Sequence, residues 1–239
     1  MNLYASMDPA SFLGRACSML EAREALNNLI LGVAIRLYEH PGWDDLPPYL
    51  AVVVDWVNQP ALAAAITPPR NLLLAANPAL PADQLDGALA LLVQDLLERR
   101  QAVPGVTAES ALSERFVRVW TQATGKPSRV KTRTRTFELR RVIPPPNPPP
   151  GWLRLATQQD EDLVARWHLA FSQEALEEGT PEESRKYAAR LIAQESTFLW
   201  EDGGPVSIAV RARPTPHGYT VTSLYTPPEL RGRGYASAC

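Results

Sequence analysis

The chain of 239 residues contains very little cysteine and histidine, with two cysteines, Cys17 and Cys239, and three histidines in total. So few cysteines cannot form a disulfide framework, and they favour a protein of a reducing compartment such as the cytoplasm. Neither residue type shows the close spacing of metal ligands, so we expect no metal site. The Gly-x-Ser-x-Gly motif of many hydrolases and the phosphate-binding Walker loop are also missing.

Long apolar runs and an excess of one charge are absent as well. The most apolar stretch, Leu29–Leu37, is interrupted by Arg36 and is far shorter than the roughly 20 residues of a membrane-spanning helix. The first residues include Asp8 and lack the apolar core of a secretion signal. The 24 Lys and Arg nearly balance the 26 Asp and Glu, so bulk charge favours neither a nucleic acid nor an acidic membrane as partner. These absences predict a soluble cytoplasmic protein.

Proline, by contrast, is concentrated in one place, where it makes up six of the seven residues 144–150. Such a run lacks the backbone donors of helices and sheets and favours an extended polyproline spacer, roughly 20 Å long. We therefore predict a first domain at 1–143, a linker at 144–150 and a second domain at 151–239. A proline-rich loop within one domain, or a ligand for a proline-binding module, would leave the same pattern.

The second predicted domain has the order strand, two helices and three antiparallel strands. Trp152–Leu155 predicts a short strand, and Thr157 with Asp160 resembles a capping box in front of a helix. Thr180–Glu183 is a start signal for the next helix, with threonine as N-cap and proline at the first position. The three strands are predicted at Thr197–Glu201, Val206–Arg211 and Tyr219–Tyr225.

The first predicted domain repeats this order and then adds further elements. The predicted elements are a strand at Asn2–Ala5, helices at Pro9–Leu20 and Ala22–Tyr38, strands at Ala51–Val57, Ala61–Thr67 and Leu72–Ala75, a helix over Leu85–Leu96, a short strand near Val103–Val106, a helix at Glu109–Thr124 and a strand at Val130–Val142. In that last strand Lys131, Arg133 and Arg135 would share one face. A basic face of this kind attracts a phosphate or an acidic partner, or protects a solvent-facing strand from edge pairing.

The most distinctive motif is the stretch Val221–Ala236, in which a predicted strand runs into two prolines and then into a turn of the form Arg-x-x-Gly-x-Ala. Because Gly232 and Gly234 carry no Cβ, such a turn can direct successive backbone N–H groups at one point. A helix that opens at Tyr235 would add the positive end of its dipole. The turn therefore suits a diphosphate, although a solvated surface turn or an RNA-binding tail shares the Arg-Gly-Arg-Gly composition.

This stretch resembles the acyl-CoA diphosphate loop of the GNAT acetyltransferases, whose signature is Gln/Arg-x-x-Gly-x-Gly/Ala directly after a strand. The resemblance implies an α+β (mixed α/β) fold of GNAT-like lobes, each a mainly antiparallel sheet flanked by helices, with acetyl-CoA as cosubstrate. The first domain would be a degenerate lobe, because Asn77–Pro81 stands where its loop should be; an unrelated α/β domain is the alternative. The cofactor-binding residues that the resemblance implies are Leu224, Tyr225, Thr226, Arg231, Gly232, Arg233, Gly234, Tyr235 and Ala236.

The resemblance also implies acetyl transfer to a small-molecule or peptide amine, which the sequence does not specify. His217, Glu201, Tyr219 and Ser223 are weak candidates for the base, since each is equally a turn or surface residue. We expect the second lobe to be incomplete, because only five residues follow Gly234 and the family's fifth strand and thiolate-protonating tyrosine would lie beyond the last residue. The alternative function is a non-catalytic acyl-CoA-binding module or an inactive fragment.

Overall fold

The computed structural model describes residues 1–42, 46–175 and 179–239, which form seven α-helices and two mostly antiparallel sheets. This arrangement confirms the predicted mixed α/β class. The chain divides into two compact units: unit 1 is Met1–Glu138 with Arg213–His217, and unit 2 is Leu139–Ala212 with Gly218–Cys239. The domain boundaries drawn from the proline run stay a prediction. No described helix is both long and apolar enough to cross a membrane.

Unit 1 is built on a sheet of five strands in the order β1-β2-β3-β4-β5. Neighbouring strands are antiparallel except β4 and β5, which run parallel and pair at only two positions. Its elements are β1 (Asn2–Ser6), α1 (Pro9–Glu21), α2 (Glu24–Glu39), β2 (Tyr49–Val54), β3 (Pro60–Ile66), β4 (Leu72–Ala76), α3 (Ala82–Glu98), β5 (Val106–Thr107) and α4 (Ser110–Thr124).

Both faces of this sheet are covered by helices, so β2 is buried at every position. Alternate side chains of a strand point to opposite faces. Leu50 and Val52 accordingly pack in one cluster with residues of α1 and α2, and Ala51 and Val53 pack in another with residues of α3 and α4. A strand buried on both faces has an unbroken apolar sequence, as this one does.

Unit 2 has a sheet of four strands in the order β6-β7-β8-β9. One face of the sheet contributes Leu199, Ile208 and Tyr225 to a core that two helices complete with Val164 and Ala188. The elements are β6 (Trp152–Leu155), α5 (Glu161–Glu174), α6 (Pro181–Ala193), β7 (Thr197–Glu201), β8 (Pro205–Thr215), β9 (Gly218–Tyr225) and α7 (Tyr235–Ala238).

The two helix start signals predicted in unit 2 are confirmed. Thr180 accepts a hydrogen bond from the amide of Glu183, and the Glu183 carboxylate accepts one from the Thr180 amide, which completes a capping box. Thr157 and Asp160 form the same reciprocal arrangement around the short 3-10 turn that leads into α5. These signals are local in sequence, which is why the sequence reveals them.

The strand predicted at 130–142 is wrong. Residues 125–139 run without helix, strand, turn or bend, and residues 125–144 are all exposed. A β-strand exists only where a neighbouring strand accepts and donates its backbone hydrogen bonds, and the described residues supply no such neighbour here. Lys131, Arg133 and Arg135 alternate with threonines as residues of a strand do, but this segment does not pair with any described strand.

The strand predicted at Ala51–Val57 ends early, at Val54. The Asp55 carboxylate accepts hydrogen bonds from the amides of Val57 and Gln59, and Asn58 has a left-handed φ of 63°. An aspartate that bonds to the backbone two residues on stabilises a turn at the expense of the strand.

Candidate functional site

The candidate site begins in the second half of β9, where the side-chain alternation changes phase. Tyr219 and Val221 are exposed, but Ser223 and Tyr225, which would share their face in a regular strand, are buried. Ser223 has a φ of 48°, a left-handed value that is uncommon for a residue other than glycine. A local irregularity of this kind leaves backbone groups outside the ladder and often lies beside a functional site. Nothing about a serine in the sequence signals it.

A buried serine on the neighbouring strand fixes the end of β9. Ser207 of β8 is fully buried, and its hydroxyl donates a 3.1 Å hydrogen bond to the carbonyl of Tyr225. The same hydroxyl lies 2.9 Å from Oγ1 of Thr226, which is also buried. The backbone of Leu224–Thr226 is therefore held where the strand passes into the following loop. No pattern in the sequence identifies Ser207, because only the pairing of β8 with β9 brings it to this position.

The loop after β9, residues 227–234, contains two glycines with left-handed backbone conformations. A 3-10 turn at Pro228–Leu230 is followed by Gly232 with a φ of 76° and Gly234 with a φ of 85°, and α7 starts directly afterwards. Most residues with a Cβ are strained at such φ values, so both positions favour glycine.

The backbone amides at the end of this loop and the start of α7 have no hydrogen-bond acceptor among the described residues. Within the described parts of the chain, the five backbone N–H groups from Gly232 to Ala236 donate to no protein acceptor. Backbone donors need a partner, which here is water or a ligand. A run of successive free amides that includes left-handed residues is the arrangement that forms anion-binding concavities.

Side chains anchor the loop at both ends. At the start, Arg231 donates from Nε to the carbonyl of Thr226 at 2.8 Å and from one terminal nitrogen to both carboxylate oxygens of Glu174, at 2.8 and 2.9 Å. Its guanidinium also lies 5.5 Å from the ring centroid of Tyr225. At the other end, the hydroxyl of the buried Tyr235 donates to Asp202 at 2.6 Å, and this bond raises the pKa of Tyr235. The free amides therefore lie between two fixed points.

Comparisons with known proteins rest on structure, because no protein-family model and no curated protein matches the sequence. A GCN5-related N-acetyltransferase from Sphaerobacter thermophilus matches 99% of this chain and 79% of its own, with a TM-score of 0.50 and 16% identity. An acetyltransferase of the GNAT family from Colwellia psychrerythraea matches 100% and 82%, with a TM-score of 0.48 and 11% identity.

The chain has a GNAT fold. At 16% identity the likeness to the Sphaerobacter protein is one of fold. Within this fold, the stretch Arg231–Ala236 joins the last strand of the unit 2 sheet to the following helix. That is the strand-to-helix position in which the sequence analysis placed the GNAT diphosphate motif.

Unit 1 also begins with one strand, two helices and three strands, but its loop between β4 and α3 differs chemically from the loop after β9. The amides of Asn77 and Leu80 donate to backbone carbonyls, and that of Ala79 donates to the Asn77 side chain. Pro78 and Pro81 have no N–H group to offer. The donors of this loop are thus used within the protein or missing, whereas those of the unit 2 loop are free.

Two of the four candidate bases, Glu201 and His217, are each held by a charged partner. Glu201 accepts a 2.9 Å hydrogen bond from Nε of Arg154, which also binds Asp160. His217 belongs to unit 1, where Nδ1 lies 2.7 Å from Glu24 and this hydrogen bond raises the pKa of the imidazole. The other two differ in exposure: the Tyr219 ring is mostly exposed beneath the Arg211 guanidinium, and Ser223 is buried.

Two further titratable groups in unit 2 are partly buried, and burial shifts both towards their uncharged forms. Burial lowers the pKa of His168, whose Nδ1 lies 3.4 Å from the hydroxyl of the buried Ser184. Burial raises the pKa of the Cys239 thiol to about 11, so a nucleophilic thiolate is disfavoured there. Among the described residues no group of three His, Cys, Asp or Glu could hold a metal ion.

Proposed function

We propose that this chain binds acetyl-CoA at the end of β9 and transfers the acetyl group to an amine. The observation that carries the proposal is the run of five free amides, Gly232–Ala236, between two anchored ends. In this assignment the backbone of Leu224, Tyr225 and Thr226 holds the pantetheine arm. Arg231, Gly232, Arg233, Gly234, Tyr235 and Ala236 form the diphosphate loop.

Backbone amides suit a diphosphate because their positions are set before the ligand arrives. The anchors at Arg231 and Tyr235 restrict the loop in the free protein, so less conformational entropy is lost on binding. Preorganised dipoles also need no reorientation when charge is placed among them. Arg233, whose guanidinium is paired with no described carboxylate, adds a positive charge to the same loop.

The proposed reaction moves an acyl group from sulfur to nitrogen. The amine nitrogen attacks the thioester carbonyl, a C–N bond forms, and the C–S bond breaks. The attacking amine loses one proton and the departing coenzyme A thiolate gains one, so the overall reaction is balanced without a further reagent. The acceptor is proposed to be a small-molecule or peptide amine, and the low cysteine content supports a cytoplasmic setting.

A second candidate function is acyl-CoA binding without catalysis. Two of the candidate bases favour this alternative, because Glu201 accepts a hydrogen bond from Arg154 and the His217 ring is hydrogen-bonded to Glu24. A group held by such a partner is less available to accept a proton from the amine. The two-lobe interpretation is compatible with either function. Unit 1 would then be a lobe that no longer binds cofactor, since the amides of its Asn77–Pro81 loop are satisfied internally or absent.

Calorimetric titration with coenzyme A, on variants matched in backbone strain, tests the proposed site. Gly234 and Gly42 both have a φ of 85°, and a Cβ on either would meet no atom closer than 3.7 Å. Alanine at each position therefore carries a similar conformational cost, about 1–2 kcal/mol. We expect Gly234→Ala to raise the Kd for coenzyme A on the order of tenfold, and Gly42→Ala in unit 1 to leave it unchanged.

Equal affinity in the wild type and in Gly234→Ala would remove the cofactor assignment. Binding and catalysis are then separated by measuring thiol release from acetyl-CoA over a panel of amines. Turnover with at least one amine supports the transferase. Tight binding of acetyl-CoA with no turnover for any amine supports the non-catalytic alternative.

A further inference from the structure

We infer that Glu174 is a positioning residue whose carboxylate holds Arg231 as a strut of the diphosphate loop, so that Arg231 shapes the site instead of binding the diphosphate. The inference rests on the proposed function, because it concerns how the same loop recognises its ligand. It reverses the simplest interpretation of the motif, in which the first arginine contributes its charge to the phosphates.

The guanidinium of Arg231 already contacts three groups of the protein. Nε donates to the Thr226 carbonyl, one terminal nitrogen donates to both oxygens of Glu174, and the guanidinium carbon lies 5.5 Å from the centroid of the Tyr225 ring. A guanidinium has five N–H donors in a rigid fork, and a contact to two carboxylate oxygens fixes its direction as well as its charge. The three partners lie at the end of α5, at the last residue of β9 and at the residue directly after it. Arg231 therefore ties these two elements to the first residue of the diphosphate loop, Arg231–Ala236.

The position of Glu174 supports this interpretation independently. Glu174 is the last residue of α5. The C-terminal end of a helix carries partial negative charge, so a carboxylate there is unfavourable for the helix itself. The ion pair with Arg231 offsets this unfavourable placement, which gives the residue a role in fixing the loop and none in stabilising the isolated helix.

The distribution of charge in the loop leads to the same conclusion. The positive charge of Arg231 is compensated by Glu174, whereas Arg233 contacts only the Glu229 carbonyl at 3.4 Å and the Tyr235 side chain among the described residues. A diphosphate that approaches the free amides therefore meets Arg233 as the uncompensated cation. If Arg231 bound the phosphates directly, Glu174 would compete with them for the same donors.

Glu174→Gln distinguishes the two roles by the direction of the change. If Arg231 is a strut, the variant loosens the loop, and the Kd for coenzyme A should rise because the loop must be ordered on binding. We expect a rise of roughly threefold, since both side chains of this ion pair are about half exposed and such pairs contribute modestly. If Glu174 competes with the ligand, the same variant frees Arg231, and the Kd falls. Pantetheine, which lacks the diphosphate, should bind wild type and variant equally under the strut role.

Glu229→Gln is the matched control. Glu229 is an exposed carboxylate in the 3-10 turn just before the diphosphate loop, and its side chain forms no hydrogen bond or ion pair with a described residue. The control removes one negative charge near the ligand without touching Arg231. A rise in Kd for Glu174→Gln that Glu229→Gln does not share therefore reflects the lost anchor and not a change in local potential.

Limited trypsin digestion adds a readout that needs no cofactor, because trypsin cleaves after Arg231 and Arg233. Faster cleavage of these bonds in Glu174→Gln than in Glu229→Gln supports the strut even if the wild type binds no coenzyme A, an outcome that would defeat the proposed function alone. Unchanged cleavage, or a lower Kd in Glu174→Gln, overturns the strut while the proposed function stands.

Arg231→Lys is the second variant, to be used if Glu174→Gln does not fold. Lysine keeps the positive charge of Arg231 but lacks the forked guanidinium that binds two partners at once. If Arg231→Lys binds coenzyme A as tightly as the wild type does, the strut is contradicted.

Discussion

Replacing Ser207 with alanine tests whether the buried hydroxyl of β8 fixes the backbone at the end of β9. The Ser207 side chain is fully buried, and its hydroxyl contacts the Tyr225 carbonyl at 3.1 Å and the Thr226 hydroxyl at 2.9 Å. A hydrogen bond contributes about 1 kcal/mol net, and a buried group left without a partner costs about 1–3 kcal/mol. We therefore expect Ser207→Ala to lower the free energy of unfolding by about 2 kcal/mol.

Under the proposed function the variant should also weaken coenzyme A binding, because the backbone at Tyr225 and Thr226 then loses its contacts with the serine hydroxyl of β8 and keeps the hydrogen bond from Arg231 to the Thr226 carbonyl. Ser196→Ala is the matched control: the Ser196 hydroxyl is buried and donates to the Leu191 carbonyl at 2.9 Å, at the junction of α6 and β7. It loses one hydrogen bond, so we expect about 1 kcal/mol of destabilisation. Its coenzyme A affinity should remain that of the wild type.

Urea unfolding followed by tryptophan fluorescence gives both stabilities, and calorimetry gives both affinities. The reasoning is refuted if Ser207→Ala is as stable as the wild type, or if its Kd changes no more than that of Ser196→Ala. Either result would mean that the end of β9 is held by other contacts.

Two more predictions concern stability. Arg154 lowers the pKa of Asp160 to about 2, from an ordinary value near 3.8. The ionised carboxylate therefore stabilises the fold above about pH 4, and this contribution is lost as the pH falls towards 2. Asp160→Asn should cost about 2 kcal/mol at pH 7 and almost nothing at pH 2, measured by urea unfolding at each pH. A pH-independent cost would contradict this. Gly87 lies inside α3 with no atom near its missing Cβ, so Gly87→Ala should stabilise unit 1 by up to about 1 kcal/mol, and a lower thermal midpoint would count against it.

Most helices and strands could be predicted because their signals are local. The capping boxes at Thr157 and Thr180 depend on residues three positions apart, and they form in the structure as the sequence indicates. The stripe of apolar residues over Leu85–Leu96 likewise predicts α3, whose buried residues are on that stripe. A strand is different, because its partner is remote in sequence. The pattern at 130–142 therefore predicted a strand that no neighbouring strand completes within the described residues.

In the candidate site, too, the local features could be predicted from the sequence and the contacts between remote residues could not. The Arg-x-x-Gly-x-Ala spacing predicted a turn between a strand and a helix, and the structure has one there. The two glycines, singled out in the sequence for their missing Cβ atoms, have left-handed φ values. The sequence could not reveal the anchors, since Glu174 and Asp202 are 57 and 33 residues away from their partners Arg231 and Tyr235. It also could not reveal that Glu201 and His217 are held by Arg154 and Glu24.

By itself, the sequence determined where the chain turns, where helices start and which residues have the backbone freedom to surround an anion. These properties depend on φ preferences, missing Cβ atoms and hydrogen bonds within one turn. The tertiary structure decided which amides remain free and which charges are already paired. Those outcomes depend on side chains from separate elements meeting within hydrogen-bond distance, and only the packing of α5, β7, β8 and β9 brings them there.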